Sequence, residues 1–132
     1  MALLRLSRLC NRDDYRKAAE RTLLAAGEIL VKQSAACGAL LSALDRYQHD
    51  NEQLVMAVKD SETMAAFRPR FLKSFRPHAT LSWVLGDASA SAAVVALNED
   101  REPVNGEPTL YVCRDFSCQR PMVGEAIERL LS

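Results

Sequence analysis

Apolar residues recur at three- and four-residue steps through the first third of this chain, the period of helices that each bury one face. Leu3, Leu4, Leu6 and Leu9 form a short apolar face, and Asn11 or Asp13 is placed to cap the next helix. From Asp13 to about Lys32 the repeat is carried by Tyr15, Ala19, Leu23, Ala26 and Leu30. A second helix is expected from about Ser34 to Tyr47, with Cys37, Leu40, Leu41 and Leu44 inward. The short link between them predicts an antiparallel helical hairpin over residues 1–50. Gly27 and Gly38 each disfavour a helix by ~1 kcal/mol relative to alanine, which points to close helix–helix approach at both. Such a hairpin exposes an apolar flank unless something else covers it.

After His49 the pattern changes. Gln53-Leu-Val-Met-Ala-Val58 is a compact apolar run, better suited to a buried strand than to a helix. Asp60 or Ser61 can cap a helix reaching about Phe75, with Phe67, Phe71, Leu72 and Phe75 on its apolar side. Pro69 should kink or divide that helix. Thr80 to Leu85 reads as a second strand, Ala88 to Leu97 as a short helix, and Asn98 to Pro108 as an exposed loop. Thr109 to Cys113 reads as a third strand and Glu125 to Leu131 as a closing helix. The alternation predicts an α+α/β fold: a helical hairpin, then a small, mostly parallel three-stranded sheet with flanking helices over residues 51–132.

Composition narrows the function classes. The 132 residues carry 17 basic and 17 acidic side chains, a formal net charge of zero that weakens any claim of broad attraction to nucleic acid or anionic membranes and leaves only local patches. No apolar run reaches the length of a transmembrane span, and the first residues lack the continuous apolar stretch of a secretory signal. The expected setting is cytoplasmic, with reduced thiols.

Candidate chemistry is sparse. Cys113 and Cys118 sit at the end of the third strand, and a returning loop would bring their Cα atoms toward the roughly 5.5–6 Å of a disulfide. Arg114 and Arg120 would favour a thiolate there, so this pair is the redox candidate; buried structural thiols are the plainer alternative. The pair lacks a partner pair for zinc, because Cys10, Cys37, His49 and His78 are scattered singly. Turns at Asp60-Ser61 and Gly86-Asp87-Ala88-Ser89 follow strands, where phosphates bind in open α/β sheets, but their acidic residues fit helix caps better. Arg68, Arg70, Lys73 and Arg76 alternate with phenylalanines at core-facing spacing, which favours a solvated charged face over a nucleic-acid surface. No catalytic, cofactor-binding or metal-binding residue is assigned.

The segment Pro108-Thr-Leu-Tyr-Val-Cys-Arg-Asp-Phe-Ser-Cys-Gln-Arg-Pro121 resembles the C-terminal end of the spermatogenesis-associated, thioredoxin-domain-containing (YyaL-type) family. The Leu-Leu-Arg-Leu start, the tyrosine-bearing helix and the apolar strand followed by Asp and a helix are also similar to that family's order. The resemblance implies a longer protein, with a thioredoxin-like domain and an α/α toroid similar to six-hairpin glycosidases. It identifies residues 1–50 with the last toroid hairpin and residues 51–132 with a C-terminal α/β module. The family's Cys-x-x-Cys motif and the toroid's candidate sugar-contacting residues are absent here. The resemblance thus implies an assembly or toroid-closing module without activity in isolation, whose partner is the remainder of the larger protein or a second copy. A thiol redox module using Cys113 and Cys118, or part of a carbohydrate-active enzyme, are the alternatives.

Overall fold

The computed structural model describes residues 1–49, 52–74, 76–114 and 117–132. Helices come first: α1 (Ala2–Leu9), α2 (Asp13–Ala25), α3 (Gly27–Lys32) and α4 (Gly38–Gln48). The expected helix from Asp13 to Lys32 is therefore divided at Ala26, although Ala19, Leu23 and Leu30 are its buried positions as the periodicity requires. In α1 the buried positions are Leu4 and Ser7, whose Oγ donates to the Leu4 carbonyl; Leu6 is exposed. Leu41 of α4 is likewise exposed, while Cys37 and Ala43 are buried.

The close approach expected at Gly27 and Gly38 is not found. A methyl group at either position would meet nothing within 4 Å. Both glycines open helices, α3 and α4, rather than lying at a crossing.

Strand β1 (Glu52–Val58) is central, with Gln53 to Val58 buried on both faces, which is why its apolar residues run continuously. Asp60 caps α5 (Ser61–Lys73) by accepting the Thr63 backbone N–H at 2.8 Å. The helix continues through Pro69 as one element. Phe71 is buried, Phe67 half-buried and Leu72 exposed; Phe75 lies outside the described residues. Strand β2 (Thr80–Leu85) pairs parallel with β1. Gly86 closes it with φ +66°, a left-handed turn, and donates its N–H to Val58 O.

The α+α/β class holds, but the sheet is mixed rather than mostly parallel. Strand β3 (Thr109–Arg114) runs antiparallel to β1, pairing Thr109 with Ala57 and Arg114 with Glu52. Two short strands, β4 (Ser117–Cys118) and β5 (Met122–Val123), also pair antiparallel with β3, for an order β2-β1-β3-β4 with β5 beside β3. The cause lies in the connection from β2. A parallel β3 needs a helix to carry the chain back along the sheet. Only one α-helical turn forms, α6 (Ser89–Ala92), followed by two 3-10 turns, so the chain crosses β1 at the same end of the sheet and enters β3 in reverse.

Helix α7 (Glu125–Leu131) and α5 cover one face, over Leu54, Met56, Val58, Leu110 and Val112. The other face carries Val55, Ala57, Val84, Tyr111 and Cys113, covered by Ala88, Leu97 and Leu9 of α1. No described helix is long and apolar enough to cross a membrane.

Candidate functional site

Cys113 and Cys118 face each other across the β3–β4 ladder and are joined by a disulfide, where reduced thiols were expected. Their Cα atoms are 3.9 Å apart, closer than the expected distance, and the two residues are directly opposed in an antiparallel pair. The connection at residues 115 and 116 lies outside the described residues. Cys113 is fully buried and Cys118 half-buried, so Cys118 is the more exposed member of the pair. The basic group beside it is neither Arg114 nor Arg120. It is Arg101, whose Nη2 lies 3.1 Å from Cys118 Sγ and whose guanidinium stacks over the Tyr111 ring at 5.3 Å. Tyr111 is fixed in turn by donating its hydroxyl to Glu102 O at 2.7 Å. Arg101 was invisible to sequence reasoning because it sits in the polar loop before β3, with no motif around it. Opposite Cys113, Gln53 is fully buried, and its side-chain amide has no hydrogen-bond partner among the described residues.

His49 and His78, isolated in sequence, are adjacent in space. Their rings stack with centroids 4.8 Å apart. Asp45 lies between them: His49 Nδ1 is 3.1 Å from Oδ1, and His78 Nε2 is 3.3 Å from Oδ2. Asp45 and His49 are four residues apart, hence on one side of α4 and its last turn. His78 arrives through the turn before β2, and Arg46 is the reason. This buried arginine donates to Pro77 O at 3.0 Å, to Ala79 O at 3.4 Å and to Thr80 Oγ1. Burial, with Arg5 and Arg8 nearby, lowers its pKa below the usual arginine value.

The remaining candidates resolve as structure. Asp87 accepts from the Ser89 N–H and Oγ, and Asp60 from Thr63, so both turns are caps; these bonds hold both carboxyls below the usual aspartate range. In the basic stretch Arg70 pairs with Glu128, and Arg76 with Glu52 at 2.8 Å. Glu52 is shared with Arg114 at 3.4 Å.

The third feature is an apolar cleft between α2, α3 and α4. It is lined by Leu23, Leu24, Leu30, Val31, Leu44 and Tyr47, with a volume of about 330 Å³. Leu24 and Val31 are 73% and 85% exposed, and Ile29 and Leu41 are exposed nearby. The flank of the hairpin is therefore left uncovered by the chain's own sheet.

No family model matches the chain, and no curated protein or solved structure shows significant similarity to it.

Proposed function

We propose that this chain is an assembly module, non-catalytic alone, whose helical hairpin docks against further helices of a larger thioredoxin-domain, glycosidase-like protein. The observation that carries this reading is the cleft at α2–α4, with Leu24 and Val31 in solvent. Apolar side chains contiguous over a helical face favour burial against a matching surface. The resemblance of residues 108–121 supplies the occupant: the adjoining toroid helices, which would close on the flank of the last hairpin. Such a module belongs in the cytoplasm. Isolated from that cover, the chain should self-associate through the same face.

Sedimentation equilibrium tests this. The wild-type chain should show concentration-dependent association, and a Leu24→Glu/Val31→Glu variant should be a folded monomer. Both side chains are solvated, so the fold should survive the change. A wild-type monomer at all concentrations, or association unchanged in the variant, would overturn the reading. Turnover of any sugar by the chain alone would also contradict it, in favour of a carbohydrate enzyme.

The Cys113–Cys118 bond favours a second reading, a thiol redox element. A dithiol reductant would attack the half-buried Cys118 sulfur, then resolve the mixed disulfide, leaving two cysteine thiols and carrying the disulfide away on the reductant. Arg101 would favour the Cys118 thiolate in the reduced form. Under native conditions, glutathione buffers should set a measurable midpoint, read by alkylation and mass spectrometry, and Arg101→Gln should slow alkylation of Cys118. Thiols that react only after denaturation would defeat this second reading.

A further inference from the structure

Asp45, His49 and His78 present two imidazole nitrogens and a carboxylate, the borderline nitrogen–oxygen donor set of a first-row divalent cation. We propose that these three residues bind one such ion, Zn²⁺ being the test case, and that the ion staples the end of α4 to the segment leading into β2. This inference is independent of the docking face on the hairpin.

One ligand atom from each residue lies within 4.8 Å of the others. Four-coordinate zinc with bonds of ~2.0–2.2 Å has ligand–ligand edges of roughly 3.3–3.5 Å. The two nitrogen–oxygen distances, 3.1 Å to Asp45 Oδ1 and 3.3 Å to Asp45 Oδ2, are close to that edge but run to different oxygens of the one carboxylate. Closing on one ion therefore needs the two ring nitrogens to come together and the carboxylate to turn, and both Asp45 and His49 are more than half exposed. His49 Nδ1 also lies 2.8 Å from the Asp45 carbonyl oxygen. The ion would take the place of any ring proton shared with Asp45, with His49 Nδ1 and His78 Nε2 each donating a lone pair.

The frame is set before any ion arrives. Asp45 and His49 share a helix end, and Arg46 holds the carbonyls of Pro77 and Ala79, the residues on either side of His78. Ligands fixed in this way give up little freedom on binding. His78 Nδ1 would carry that ring's remaining proton; it is buried and has no hydrogen-bond partner among the described residues. Without an outer acceptor to raise the ring's basicity, the affinity should be micromolar rather than nanomolar. Asp45 and His49 are more than half exposed, so water completes the coordination.

Titration calorimetry of the full chain with ZnCl₂ should give one ion per chain. Co²⁺ should give weak visible bands without a thiolate charge-transfer band. The thermal midpoint should rise with zinc in the wild type. His49→Ala and His78→Ala should each weaken binding by more than ~10-fold and abolish the shift. If His78→Ala is found unfolded by circular dichroism, His49→Ala, at an exposed position, decides the matter. Absence of saturable binding, equal binding in a folded variant, or a thiolate band that moves the ion to Cys10 or Cys37 would overturn the proposal.

Discussion

Asp60 shows how much one side chain can be read before any fold is known. A short polar residue after an apolar strand reads as a helix cap, Asp60 or Ser61 here, and it is the Asp60 carboxylate that accepts the Thr63 N–H. The bond holds the carboxyl below the usual aspartate range, first through the Thr63 backbone N–H. A lowered folded-state pKa contributes stability above the unfolded value of about 3.9, and that contribution is lost as pH falls through the folded value. Asp60→Asn keeps a capping oxygen but not the charge. Its thermal midpoint should fall below wild type at neutral pH, and the gap should close as pH is lowered past about 4. A gap constant from neutral to acid pH would contradict the assignment. Arg101 is the opposite case: its contact with Cys118 spans seventeen positions and rests on a loop path that no local pattern encodes.

Among the elements, strands β1, β2 and β3 and helices α5 and α7 were legible, because continuous apolar runs and a 3.6-residue period each follow from burial alone. Where the reading failed, a local propensity was taken for a tertiary contact. Gly38 is the clearest example. It opens α4 with open space at its Cβ position, so it marks a helix start and not a crossing. Gly38→Ala should therefore stabilise the chain by about 0.4–1 kcal/mol, chiefly by restricting the unfolded state, as read from a urea midpoint. A loss of stability would reinstate close packing at that position. The stretch from Ala88 to Leu97 reads as one short helix, but the α-helix stops at Ala92 and a separate 3-10 turn holds Ala96–Asn98, with Ala88 and Leu97 drawn down onto the sheet.

For the molecule as a whole, that shortened helix decides the topology: with no crossover to carry the chain back, β3 enters antiparallel and the sheet is mixed. The uncovered hairpin flank was foreseeable, since two amphipathic helices cannot bury all their apolar positions against each other. Self-association through Leu24 and Val31 is a property of the whole chain, because it depends on which apolar face the packed layers leave in solvent. The pairing of Cys113 with Cys118 was half visible, as a spacing without a partner surface. Asp45, His49 and His78 were not visible at all as a set. Periodicity and capping chemistry act over a few residues, so the order of amino acids was enough to specify elements, caps and the apolar faces that had to be buried. Strand direction, the arginine beside the disulfide and the meeting of two distant histidines depend on how separate elements pack. Arg46 anchors α4 to the carbonyls around His78, a contact across more than thirty positions that exists only once the layers have come together.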